Sequence, residues 1–308
     1  MVFHRREKQI EVLMKDISIG IAYKNNHEPA RLEKEKLQKW LEAKGVKVYS
    51  EEMSPKGQMD ELSENSSITH NQTKCLIVLG GDGTMLGAAR KVGRHGVPIL
   101  GVNLGGLGFL TSIPLNKLYP CIEMILQNRL EIEERLMLET KVIREGVEVC
   151  EFPTLNDVVI NKGALARIID LDVYINNKFL TTFRADGLII STPTGSTGYN
   201  LAAGGPILYP TISNVVVTPI CPFTLTNRPL ILPDSVTVSI MMKKESEEKV
   251  SLTFDGQVGF ELLHKDKIII SKSNSRIKLF KSPDQTYFEI LRTKMMWGGA
   301  TYNTNVDE

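Results

Sequence analysis

The chain lacks a charge excess, a cysteine pattern and a long apolar run. Lysine plus arginine number 37 and aspartate plus glutamate 36, a formal charge of +1. No global field therefore draws nucleic acid or an anionic membrane, and an anionic ligand must be held locally. The four cysteines, Cys75, Cys121, Cys150 and Cys221, show no CxxC spacing. Zinc and disulfides are not expected, and each thiol is predicted to be reduced and buried in or beside an apolar stretch. No uninterrupted apolar stretch approaches the roughly 18 residues of a membrane span. The opening "MVFHRREKQIEVLMKD" is charged throughout and lacks an apolar h-region. A cytoplasmic protein with no nucleic-acid or membrane partner is the expectation. Repeats, low-complexity tracts and obvious linkers are also missing.

What is present is a globular composition, 42% hydrophobic over 308 residues, room for about two domains at roughly 150 residues each. The first part alternates strand and helix. "ISIGIAY" reads as a buried strand, "PARLEKEKLQKWLEAKG" places Leu32, Leu37, Trp40 and Leu41 at near-helical spacing, and "VKVYS" is extended again. "KCLIVLGG" reads as a central strand, "TMLGAARKVGRHG" as a helix, "VPILGVN" as a strand and "NKLYPCIEMILQNR" as a helix. This alternation predicts an open, largely parallel sheet with its ligand crevice at the carboxyl ends of the strands. After about residue 130 the texture becomes antiparallel β. "LMLETKVIREGVEVCEF" turns at Glu145-Gly146, "LDVYINNKFLTTF" turns at Asn176-Asn177, and "SVTVSIMMKKESEEKVSLTF" turns through a charged loop. The fold class is α/β plus all-β. Residues 1–130 form the α/β domain, 131–275 the β domain, and 276–308 a helical tail returning to the first domain with a frayed end.

The segment "GGDGT" follows a strand and opens a helix. Gly80, Gly81 and Gly83 remove three Cβ atoms and, with Thr84, leave amides free to face a phosphate. Asp82 is out of place in an anion site. A carboxylate there can accept a proton from an attacking hydroxyl or help to hold a metal; the plainer reading is a turn residue or helix cap. A second glycine cluster, "GVNLGGLGF", follows the next strand and spells neither GxxxxGK[ST] nor GxGxxG.

The most informative stretch is "RADGLIISTPTGSTGYNLAAGGPI". A short strand leads into a hydroxyl-rich loop carrying Thr192, Thr194, Ser196 and Thr197, then into a short helix ended by Gly204-Gly205. Those hydroxyls can read the edge of a polar heterocycle, and Tyr199 can stack on a planar ring; equally, Ser196 or Thr197 can cap the helix and Tyr199 can be core. In "TLNDVVI", Asn156 offers donor and acceptor to a base edge and Asp157 can accept from ribose hydroxyls, although such a pair also suits a turn.

In this order and spacing, "GGDGT", "LND", "DGLIISTPTGSTGYN", "AAGGPI", "CPFTLTNRP" and "FDGQ" resemble the NAD kinases, particularly their bacterial form. The resemblance implies a Rossmann-like N-terminal domain, a C-terminal β-sandwich, a homo-oligomer, and transfer of the ATP γ-phosphate to the adenosine-ribose 2′-hydroxyl of NAD with Mg²⁺. It further implies that Asp82 is the base or orienting group, with Gly83 beside it and Phe109 near the adenine. Asn156 would contact the adenine and Asp157 the ribose. Asp186, Gly198 and Tyr199 would approach the nicotinamide, and Thr194, Thr197 and Arg184 would line the adenine side, with some contacts crossing to a neighbouring subunit. The chain departs from the pattern at Asp157, where glutamate is frequent, at Gly198, where alanine is usual, and at Phe223, where histidine often follows the proline. Its "GGLGF" also lacks the polar residue often found before the leucine, leaving Gly106 without an assigned contact. The competing readings are a lipid or sugar kinase sharing "GGDGT" and a catalytically weak NAD(P) sensor.

Overall fold

The computed structural model describes residues 17–54, 68, 73–163, 167–244 and 249–297. The charged opening segment, residues 245–248 of the charged loop and the end of the tail lie outside these.

Strand β1 (Ser18–Lys24), helix α1 (Glu28–Ala43) and strand β2 (Lys47–Met53) form the expected βαβ unit, with β1 and β2 parallel. His27 caps α1 by accepting the Ala30 N–H at 3.2 Å. The buried face of α1 runs through Ala30, Leu37 and Leu41, while Leu32 stands exposed. Fully buried β3 residues (strand Thr73–Leu79) then lie between β1 and β4 (Ile99–Asn103), both parallel to β3. Helix α2 (Asp82–Val92) connects β3 to β4, and β5 (Ile113–Pro114) and α3 (Leu118–Leu126) complete this half.

The second half is a β-sandwich. One layer is antiparallel throughout, in the order β13 (Leu230–Pro233), β12 (Asn214–Ile220), β11 (Gly187–Ser191), β8 (Asp157–Lys162), β15 (Val250–Phe254), β16 (Val258–Leu262). The other comprises β6 (Ile132–Arg144), β7 (Val147–Thr154), β9 (Ile169–Ile175), β10 (Lys178–Ala185), β14 (Val238–Met242) and β17 (Lys267–Phe280). Alternate residues of both layers form a single core, with Phe152 and Phe254 stacked at 4.5 Å between ring centroids. The turns at Glu145-Gly146 and Asn176-Asn177 form where expected. Each has two consecutive positive φ angles, 51° and 82°, then 49° and 62°, as two-residue hairpins require.

Three expectations are corrected. The charged segment after β14 does not close a hairpin: β14 pairs with β9 and β17, whereas β15 pairs with β8 and β16 in the other layer. Crossing between layers buries the same apolar face as a hairpin does, so alternation alone does not separate the two. The two halves do not own separate sheets either. β17 pairs with β6 over most of its length and meets β4 in parallel at Leu279↔Ile99, so the sandwich layer and the parallel sheet are continuous. Finally, Cys75, Cys121 and Cys150 are buried thiols but Cys221 is exposed, at φ 45° beyond the end of β12. Burial pushes the Cys75 thiol up to about 12.

Past β17, helix α5 (Tyr287–Met295) touches both halves. Asp284 pairs with Lys117 at 2.9 Å, the Lys294 ammonium lies 5.8 Å from the Phe109 ring, and Tyr287 and Phe288 pack on Tyr209.

Candidate active site

The N-terminus of α2 has Gly81 as its cap residue and no side-chain cap. Its first-turn N–H groups have no intrahelical acceptor, so this end of the helix suits an anion. Gly81 faces open space and Gly83 is exposed, while Gly80 packs so tightly on Thr84 that a Cβ would stand 2.5 Å from the hydroxyl oxygen.

Asp82, the first helical residue, caps nothing. Its carboxylate instead organises the neighbouring glycine loop. Oδ2 accepts the Phe109 N–H at 2.9 Å, and Oδ1 accepts the N–H groups of Leu110 and Thr111, each at 3.0 Å, and the Thr111 hydroxyl at 3.1 Å. The approach is so close that a Cβ on Gly108 would collide with that carboxylate. Asn103 shapes the same loop, accepting the Gly105 N–H at 2.6 Å and donating to the Gly106 carbonyl. The two glycine clusters thus share one crevice at the ends of β3 and β4, the position that the parallel strands predict.

Across from this crevice, Asn156 and Asp157 open β8. Thr192 locks their turn: its N–H donates to the Asn156 carbonyl at 2.9 Å and its hydroxyl to the Leu155 carbonyl at 2.6 Å. Gly195 lies against the Asn156 backbone with no room for a side chain. These bonds leave the Asn156 side chain to something else, because its Oδ1 is buried without a hydrogen-bond partner. A native structure seldom strands such an atom, and a ligand donor would satisfy it. Asp157 is 4% exposed. Burial first, and the charge of Asp255 second, push its pKa up to about 7.

The hydroxyl-rich loop divides its work. Ser196 does not cap the following helix α4 (Tyr199–Ala202); it donates to the Pro193 carbonyl at 2.6 Å and accepts the Leu208 N–H at 2.9 Å. Buried Asn200 ties the loop down through the Ser196 and Pro206 carbonyls, each at 3.1 Å, and accepts from Thr218 at 2.6 Å. Thr194 is buried and accepts from Arg135 at 3.4 Å, and the Thr197 hydroxyl donates to the Thr194 carbonyl at 3.4 Å. Gly198 and Tyr199 are exposed, so Tyr199 is not core. A Cβ on Gly198 would stand 3.7 Å from Asp157 Oδ2 and 3.8 Å from Asn156 Nδ2. Gly198 therefore lies beside Asn156 and Asp157, with Tyr199 next to it in the chain and exposed.

Arg184 and Asp186 are elsewhere. Ser191 pairs with Asp157 and Gly187 with Asn161, so Asp186, just before β11, lies at the strand's opposite end, about 17 Å along it at ~3.3 Å per residue. Its carboxylate lies 3.5 Å from Lys162, and the Arg184 guanidinium sits 4.9 Å from the ring centre of Phe223.

The two sides of the site are joined by residues to which no role was attached. The buried Arg90 guanidinium pairs with Asp255 at 3.0 Å and donates to Gln257 at 2.6 Å. Asp255 also accepts the N–H groups of Leu155 at 3.1 Å and Asn156 at 2.7 Å, and Gln257 donates to the Gly83 carbonyl at 2.7 Å. Burial raises the Asp255 pKa, against the pull of Arg90 and the two amides. One signal was available: an arginine on the apolar face of α2 needs a buried acid. No group of three or more His, Cys, Asp or Glu side chains gathers as a metal cage among the described residues. Asp82 Oδ2, with a single N–H bond, keeps the capacity to face an ion carried by phosphates.

Residues 19–130 match the family model of the ATP-NAD kinase N-terminal domain, and residues 155–282 that of the C-terminal domain. The chain is 50% identical to the NAD kinase of Citrifermentans bemidjiense over 289 residues, 92% of this chain and 99% of that protein. It is 48% identical to the NAD kinase of Geobacter sulfurreducens over 262 residues, 84% and 91% of the two chains. Among solved structures it superimposes on yeast NADH kinase complexed with NADH, with TM-score 0.80, 25% identity, and 94% and 89% coverage. An NAD kinase from Archaeoglobus fulgidus in complex with ATP shares the fold at TM-score 0.68 and 24% identity, with 91% and 99% coverage.

Proposed function

Since the chain belongs to the ATP-NAD kinase family and phosphorylates NAD at the expense of ATP, we propose how its own residues divide that reaction. The carrying observation is the unequal load on the Asp82 oxygens. Oδ1 accepts three donors and Oδ2 one. Oδ2 therefore receives the proton of the ribose 2′-hydroxyl as its oxygen attacks the γ-phosphorus, while Oδ1 keeps the loop of Phe109 in place. The amides of Gly83 and Thr84 at the uncapped start of α2, in the loop that begins at Gly80 and Gly81, hold phosphate oxygens.

The acceptor lies on the other side of the crevice. Asn156 Oδ1 accepts from the adenine, Asp157 contacts the ribose, and Thr194 and Thr197 shape the adenine side. Tyr199 and Gly198 meet the nicotinamide end. A magnesium ion would be carried by the ATP phosphates, would offset their charge and would be faced by the Asp82 carboxylate. Positioning and charge neutralisation supply most of the acceleration in such a transfer. Asp186 and Arg184, about a strand's length away, serve a neighbouring copy's site in a homo-oligomer, Asp186 at its nicotinamide end and Arg184 on its adenine side. The same reading makes the protein cytoplasmic. Neither a lipid or sugar acceptor nor a silent sensor is favoured, given Asp82 and relatives named for NAD phosphorylation.

The test is NADP formation from ATP, Mg²⁺ and NAD by the wild type and Asp82→Asn, with NAD binding followed by calorimetry. We expect Asp82→Asn to bind NAD and to lose at least about 100-fold in turnover. A near-normal rate would sink the assignment.

A further inference from the structure

The three-residue turn between β15 and β16 carries Asp-Gly at its first two positions, with φ of 52° at Asp255 and 64° at Gly256, and is closed by the Gln257 N–H donating to the Phe254 carbonyl at 3.0 Å. What sets it apart is the number of partners gathered on it. Asp255 holds the backbone of Leu155 and Asn156 on the acceptor side; Gln257 holds the Gly83 carbonyl on the phosphate side. Arg90 reaches both Asp255 and Gln257. Helix α2 is thereby gripped at two places, one at its first turn beside Asp82 and one at its last turn.

Cohesion alone does not call for this arrangement. The same contact region already contains Met85, Leu86, Ala88, Ala89 and Leu155 packed together, and a buried ion pair adds little stability over apolar packing of similar volume. Directional bonds add a fixed geometry. Gln257 is half-buried, so its bonds contribute modestly to folding, yet it connects Arg90 to the residue next to Asp82.

We propose that Gln257, backed by Arg90 and Asp255, is a positioning residue for phosphoryl transfer, holding the first turn of α2, and with it Asp82, in register with the Asn156–Asp157 surface. This rests on the roles given above to Asp82 and Asn156. The Gln257 side chain bonds protein groups, Arg90 and the Gly83 carbonyl. Its effect passes through the Gly83 carbonyl, and a transfer that depends on alignment loses rate when its groups shift by about 1 Å.

Gln257→Met keeps the length of the side chain and removes both hydrogen bonds; Gln257→Glu keeps an acceptor for Arg90 and removes the donor to Gly83. Steady-state kinetics of both, with Asp82→Asn in parallel, test the proposal. Gln257→Met should lose about 10- to 100-fold in kcat, with KM for NAD and for ATP within about threefold and a melting temperature within about 2 °C of wild type. Gln257→Glu, whose second carboxylate oxygen would face the Gly83 carbonyl acceptor to acceptor, should lose at least as much. A wild-type kcat in Gln257→Met overturns the proposal, as does a rise in KM without loss of kcat, or a rate loss that vanishes when normalised to folded protein. If Asp82→Asn retains its rate, the fault lies in the reading of Asp82.

Discussion

The two oxygens of Asp82 face different partners, and this shapes what its amide variant does. With Asn at this position, an NH2 group placed at Oδ2 would face the Phe109 N–H, donor against donor. Some loss of order in the Gly105–Thr111 loop should therefore accompany the loss of turnover, and the melting temperature should be recorded with the rate. Asp157 yields a prediction about pH. Its folded pKa, pushed up to about 7, lies above the ordinary value of 3.8, so between these values the folded state holds a proton that the unfolded chain has released. Stability falls as pH rises from about 4 to about 7 and levels off above that. At 1.36 kcal/mol per unit, the cost at pH 8 is about 2–4 kcal/mol. Denaturant titrations of Asp157→Asn should show this fall flattened and greater stability than wild type at pH 8. An unchanged slope would place the ionisation elsewhere. The motifs singled out Asp82 and Asn156 as candidates. Their partners were not legible, since the donors to Asp82 lie 27–29 positions along the chain and no local pattern announces them.

Among elements, those whose signal is local were legible. The two hairpin turns required positive φ at adjacent residues, and Glu-Gly and Asn-Asn supplied it. The glycine clusters marked strand exits for a different reason, close approach: a Cβ on Gly80 would meet Thr84 and one on Gly108 would meet Asp82. Elements defined by a choice of partner were not: β14 and β15 alternate as a hairpin would and yet belong to different layers. Helix α5 carries a full capping box, with Thr286 accepting the Glu289 N–H at 3.3 Å and Glu289 accepting the Thr286 N–H at 2.7 Å. Thr286→Ala should loosen this helix alone, because its buried contacts are confined to Ile290 and Leu291. Amide exchange over residues 287–295 should quicken roughly fivefold with the sandwich unaffected; a uniform change across the molecule would contradict this.

At the scale of the whole molecule, "GGDGT", "GGLGF", "LND" and "FDGQ" are joined by hydrogen bonds around one crevice, whereas Arg184, Asp186 and the Phe223 segment lie together elsewhere. If Arg184 and Asp186 serve a neighbour's site, Asp82→Asn and Asp186→Asn chains damage different halves of it. Mixing the two after dissociation should raise NADP formation above the sum of the separate variants, since some sites then combine an intact Asp82 with an intact Asp186. No recovery from confirmed mixed oligomers would confine the site to one chain. The α/β-plus-all-β class was legible from the change of texture near residue 130 and the sandwich from the family resemblance, but the double pairing of β17 was not, because a strand that meets both halves looks like any other in its own fourteen residues. Its pairing with β6 and β4 has a mechanical consequence. Phosphotransferases that shut like a jaw need a hinge between lobes, and here the would-be hinge is spanned by hydrogen-bonded strand. A closure of one half on the other would strain the strand that joins them at Leu279 and Ile99, so any movement on nucleotide binding is expected in the loops, readable as amide-exchange changes confined to them.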